Sequence, residues 1–132
     1  MSITAEHLVN AALVSLNGGN EAAHRAAVHQ AYYALFHRTM YLAQHYLGAE
    51  IGDGSQHSQL SRFMKNHRNT PFNLIGRALE SAAAQRVLAD YIWEEDITFE
   101  QAEEQVAKCQ LNLQQVEGFI ERFGQPLQAS AV

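Results

Sequence analysis

Between residues 54 and 79 the chain carries no acid, while Arg62, Lys65, Arg68 and Arg77 stand there with His57 and His67 among them. Lys65, Arg68, Asn69 and Arg77 are donors of the kind that hold phosphate, and Arg62 and His67 flank the same turn. From residue 94 to residue 104 the sign reverses, with Glu94, Glu95, Asp96, Glu100, Glu103 and Glu104. Segregation of this sort fits two solvated surfaces; its sharper reading is a small anion-binding patch aimed at phosphate. A net charge of −5 argues against indiscriminate coating of nucleic acid. A second polar set, Arg25, His29, Tyr33, His37, Tyr41 and His45, recurs every four residues. It fits core-boundary residues hydrogen-bonded to neighbouring helices, or a polar groove or dimer surface. Arg86 and Asp90, four apart, are spaced for an ion pair on one helix face.

Metal chemistry is not expected from these residues. No two histidines stand four apart on a helix, and Cys109 is the only cysteine, which excludes a disulfide framework and a cysteine-based zinc site. A lone cysteine within a helical pattern reads as a small buried hydrophobe. No cofactor is expected either.

The elements that must position these groups are helices. Residues 21–47 contain no Gly or Pro, and Val28, Tyr32, Phe36 and Met40 with Ala31, Leu35 and Leu42 give a wide apolar face. Asn20 is a good N-cap and Gly48 a good terminator. Ahead of it, residues 4–16 form a helix capped by Thr4, with Leu8, Ala12 and Leu16 inward beside Val9 and Leu13. The link through Asn17, Gly18 and Gly19 is short enough to make the two helices antiparallel neighbours. Residues 49–55 read as a mobile loop, and residues 57–66 as a short helix burying Leu60, Phe63 and Met64. Thr70 as N-cap and Pro71 at the first helical position open a helix ending near Trp93, with Phe72, Ile75, Leu79, Ala82, Ala83, Val87 and Tyr91 inward. Gly76 is an oddity within it. Thr98 and Gln101 form a capping box before a last helix to Phe123, lined by Ala102, Val106, Cys109, Leu113, Val116 and Ile120.

The expectation is an all-α, up-and-down bundle of four long helices plus one short one, a single domain over residues 1–132 with its core at about 4–123 and a frayed tail at 124–132. A chain of 132 residues that is 47% hydrophobic and 17% charged can bury one core unaided. No run of about eighteen apolar residues or signal-like start is visible, so a cytoplasmic protein without a membrane partner is expected.

The stretch AYYALFHRTMYLAQ, with an upstream Arg, resembles the signature helix of small HEPN-domain proteins, where a Tyr-Tyr-x-x-Phe-His run is typical. HSQLSRF resembles the short helix that follows in that family, and QRVLADY at residues 85–91 resembles its Arg-x-x-x-Asp-Tyr ending. The resemblance implies a HEPN bundle, usually a homodimer. It also implies an RNA- or nucleotide-linked role in a toxin–antitoxin or defence pair, often beside a minimal nucleotidyltransferase acting as the antitoxin partner. Many members are metal-independent endoribonucleases; others are non-catalytic dimeric subunits. The family's catalytic pattern is an Arg, four to six residues, then a His: the Arg stabilises phosphate charge and the His transfers a proton. Here the Arg is Arg86, and Tyr91 stands where the His would, with Asp90 beside it. Two other pairs fit the spacing, Arg62 with His67 and Arg38 with His45.

With Phe36 in the core, Phe36→Ala is expected to cost roughly 3–5 kcal/mol in chemical denaturation. A much smaller loss would place Phe36 at the surface.

Overall fold

The structure, a computed structural model, describes residues 3–125. The described residues form five helices joined by turns and loops: α1 (Ala5–Leu16), α2 (Glu21–Tyr46), α3 (Gln56–Lys65), α4 (Thr70–Tyr91) and α5 (Phe99–Gly124). The chain is an all-α helical bundle, and α2 packs against each of the other four. Residues 126–132, most of the expected frayed tail, lie outside the described residues.

Local chemistry sets the helix ends. The Thr4 hydroxyl accepts from the His7 N–H at 3.2 Å while the His7 ring accepts from the Thr4 N–H. Asn20 Oδ1 accepts from the Ala23 N–H at 2.8 Å, and the Thr98–Gln101 capping box forms as expected. Gly48 takes φ +76°, so the chain turns back and the Ala49 N–H reaches the Ala43 carbonyl at 3.0 Å. The loop after it is pinned rather than loose. The Gln59 side chain bonds the Gly52 N–H and the Gly52 and Asp53 carbonyls.

Two boundaries differ from expectation at α4. It begins at Thr70 with Asn69 as its cap residue, because the Asn73 N–H closes the first turn on the Asn69 carbonyl. It ends at Tyr91, where Arg25 of α2 donates to the carbonyls of Leu88, Ala89 and Ile92 at 2.9–3.2 Å and also to that of Glu95. One guanidinium thus serves carbonyls at the end of α4 and just beyond it.

Burial follows the apolar spacing on α2 and α5. Tyr32, Leu35 and Leu42 are fully buried, Phe36 is 4% exposed, and Ala102, Val106, Cys109, Leu113 and Val116 line the inner side of α5. Leu13 is exposed on α1, while Phe63 and Ile120 are half-buried. On α4 the inward stripe runs Phe72, Ile75, Leu79, Ala82, then Arg86 and Ala89, so Val87 and Tyr91 face outward. The last turns of the stripe accommodate a charge where an apolar residue was expected.

Gly76 explains itself in the packing of α3 on α4. A Cβ there would lie 2.5 Å from the Lys65 backbone nitrogen and 2.8 Å from Met64, and Met64 is fully buried. Gly76→Ala is therefore expected to destabilise the fold by about 1–3 kcal/mol through overpacking. A urea midpoint equal to that of the parent chain would show that α3 can move away freely.

Candidate functional site

Arg86 occupies the inner stripe of α4 with its side chain only 12% exposed. Its guanidinium carbon lies 5.5, 5.6 and 5.9 Å from the ring centres of Tyr32, Tyr33 and Tyr91, within range of cation–π attraction. One terminal nitrogen donates to Asp90 Oδ2 at 3.3 Å, and the same carboxylate sits 2.8 Å from His29 Nδ1 on α2. The Nε of Arg86 is buried with no partner. Burial works against the charge, but Tyr33 and the bond to Asp90 outweigh it, and Arg86 is held above its usual value. The site contains a permanent, fixed positive charge.

His57 arrives from the first turn of α3. Its Nδ1 lies 2.5 Å from the Tyr32 hydroxyl, and its ring stacks on Phe36 at 4.3 Å. Burial lowers its pKa, and the charge of Arg86 and the nearby His37 push the same way. Burial also raises Tyr32 well above an ordinary phenol, with Arg86 offsetting only part of the effect. At neutral pH the pair is therefore a neutral phenol on a neutral imidazole. Whichever tautomer forms, Nε2 is the polar atom of His57 that Tyr32 does not engage: a donor if the phenol gives its proton to Nδ1, an acceptor if Nδ1 carries one.

His57 also lines one end of a groove of about 370 Å³ between α3 and α4. Ser58, Ser61, Arg62, Lys65 and Asn66 line it from α3, and Glu80 from α4. Lys65 Nζ is bound to Glu80 at 2.6 Å, whereas Arg62 makes no ion pair among the described residues. The groove therefore offers hydroxyl and amide donors and one uncommitted cation beside a neutral histidine.

The other expected site residues are distributed unevenly. Arg62 and Lys65 share the groove, but His67 does not line it. The His67 Nδ1 accepts from the Asn69 N–H at 3.1 Å and its ring lies edge-on to Phe72 at 4.9 Å. Arg68 and Asn69 are exposed at the turn, and Arg77 is exposed with its Nε on Asn73 Oδ1. Arg86 and Asp90 form the expected i,i+4 pair, now with His29 added, and Tyr91 is 71% exposed beside Arg86. Arg38 is bound to Glu117 at 2.5 Å and overlies Tyr41, while His45 stacks on Tyr41. Cys109 is buried and its thiol is pushed up to about 12, so it is unreactive. Among the described residues no helix is long and apolar enough to cross a membrane, and no group of His, Cys, Asp and Glu is placed to hold a metal ion.

Two participants escaped the sequence reading. Tyr32 reads as a member of an apolar face, and His57 as one cation-like residue in an acid-free stretch. Only the HSQLSRF resemblance carried a signal for His57. Compared with protein-family models, with curated proteins and with solved structures, the chain matches none.

Because the folded state lowers the His57 pKa below its ordinary 6.5, the unfolded chain takes up the proton first as pH falls. The stabilising contribution is complete above about pH 6.5 and is lost as pH drops through the folded value. Urea midpoints between about pH 7.5 and pH 5 should fall more steeply for the parent chain than for His57→Gln. Parallel profiles would remove His57 from this linkage.

Proposed function

We propose that this chain is a HEPN-type helical protein with an RNA- or nucleotide-linked role, holding phosphate in the groove between α3 and α4. The observation that carries this reading is convergence. The three separated segments that resemble the family meet at one place: Tyr32 and Tyr33 of the signature helix, His57 of the short helix, and Arg86 with Asp90 and Tyr91 of the fourth. The groove donors open beside them. In this reading Arg62 and Lys65, with Ser58, Ser61 and Asn66, contact the sugar–phosphate backbone. Arg68, Asn69 and Arg77 extend the basic surface along the strand.

Catalysis, where present, falls to His57 rather than His67. A neutral His57 Nε2 can take the proton of a ribose 2′-hydroxyl as that oxygen attacks the adjacent phosphorus. The bond to the 5′ oxygen breaks as that oxygen takes a proton from water, and the products are a 2′,3′-cyclic phosphate and a 5′-hydroxyl end, with the first proton left on His57. No metal enters this step. Arg86 contributes a fixed positive potential near the histidine.

The second reading is a non-catalytic dimeric subunit or adaptor. The observation favouring it is that Arg86 is already engaged by Asp90 and three tyrosine rings, while Tyr91, an exposed phenol, stands where the family's histidine would. In either case the family setting is a homodimer and a nucleotidyltransferase-type antitoxin partner within a toxin–antitoxin or defence pair.

Purified protein should bind single-stranded RNA with an affinity that falls as salt rises, and Arg62→Ala should weaken binding and flatten the salt dependence by about one ion. Incubation in excess EDTA then separates the two readings. Cleavage that is lost in His57→Gln identifies an RNase centred on that residue, whereas intact RNA with binding preserved identifies the subunit. Salt-independent or absent binding would overturn the phosphate reading.

A further inference from the structure

A second opening, of about 600 Å³, lies between the start of α2 and the end of α4 and is distinct from the α3–α4 groove. Ala22, Ala26 and Ala89 give it an apolar lining without projecting side chains, and Trp93, His29 and Asp90 stand at its edge. Trp93 is the only tryptophan in the chain and is 75% exposed. Its indole N–H donates to the Asp90 carbonyl at 2.9 Å, which fixes the ring's polar edge to the backbone. A large aromatic face is thereby held open to solvent at the side of an alanine-lined slot.

The charged residues that line the slot are already matched, and the exposed Glu94, Glu95 and Asp96 that follow Trp93 are not among them. Both Asp90 oxygens face His29 Nδ1, and one also meets Arg86. Glu21 accepts from the Ile97 N–H at 2.8 Å and pairs with Arg25, and Arg25 is engaged by four backbone carbonyls. Among the lining residues a cationic side chain would find no free carboxylate, and a phosphate would find no free guanidinium. A flat, neutral, polarisable ring is complementary, because stacking on an aromatic face needs no charge and every nucleobase has such a face. With Nδ1 turned to Asp90, His29 leaves Nε2 as the ring nitrogen free to meet a base edge.

We infer that the Trp93 slot is a nucleobase subsite, in which a base of a bound nucleotide or RNA strand stacks on the indole. This rests on the nucleotide-linked reading above and adds to it the half of the ligand that the basic groove does not recognise. Asp90 and His29 belong both to the slot and to the Arg86 cluster, so the base site adjoins that cluster. Purines, with the larger stacking face, are preferred over pyrimidines.

Trp93 is its own reporter. Adenosine, AMP and ribose 5-phosphate are titrated onto the full chain while indole emission is followed at an excitation where adenine is transparent. Adenosine and AMP should quench saturably and ribose 5-phosphate should leave the emission unchanged. Trp93→Leu should weaken AMP binding by calorimetry about tenfold, the loss of one stacking contact, with ribose 5-phosphate unaffected. Equal quenching by ribose 5-phosphate, or no response to adenosine, would overturn the subsite. A response to an arginine-rich peptide in place of adenosine would overturn it too and assign the slot to a basic protein partner. RNA that binds through Arg62 with adenosine silent sinks the slot alone, whereas an adenosine response in a chain that ignores RNA sinks the phosphate groove and leaves the slot standing.

Discussion

A guanidinium on the inner face of a helix has to be compensated where it sits, and much of this bundle follows from that requirement. Taking an ion out of water costs several kcal/mol unless partners replace the solvent. Asp90, one turn along α4, supplies the opposite charge, and His29 ties that carboxylate to α2. The faces of Tyr32 and Tyr33 supply the rest from α2. The Tyr32 hydroxyl then reaches His57 and brings the start of α3 into the same cluster. Three helices are keyed to one another through one charge, so rotating α4 by a single residue would unmake the set. A buried polar group that specifies register in this way adds selectivity for one arrangement rather than raw stability.

Arg25, one turn before His29 in the polar stripe, plays a related part. Its spacing places it with the histidines and tyrosines of α2, but its side chain is inserted under the end of α4, where it ties down the carbonyls of Leu88, Ala89, Ile92 and Glu95. Glu21 joins by holding the Ile97 N–H. Together they fix the path of residues 92–97, and with it the stance of Trp93. The exposed aromatic is thus carried on a segment whose backbone is anchored by hydrogen bonds from α2.

The caps of α1, α2 and α5, the breaks, and the apolar faces of α2 and α5 were legible because each depends on residues a few positions apart. Thr98 with Gln101, Asn20 and Gly48 all act as their chemistry dictates. The inner face of α4 was misjudged in its last turns because periodicity assigns Arg86 outward and Val87 inward, and nothing local reveals the tyrosines waiting on α2. The Arg86–Asp90 pair was readable from spacing, but His29 as its third member was not. Arg62 and His67 have the spacing of a pair yet face different surroundings: at a turn, chain distance does not set side-chain direction, and His67 is drawn onto Phe72. Tyr32 and His57 are 25 residues apart, and their contact exists only because α3 folds back across α2.

The absence of a side chain at Gly76 has a bearing on how the groove is built. With backbone of α3 seated directly on α4, the two helices meet without a cushion of side chains that could be compressed or extended. Asn73 reinforces the seam by donating to the Lys65 carbonyl. The spacing of α3 and α4 is therefore set by backbone contact at Gly76 and by the Asn73–Lys65 bond, not by the size of interleaved side chains.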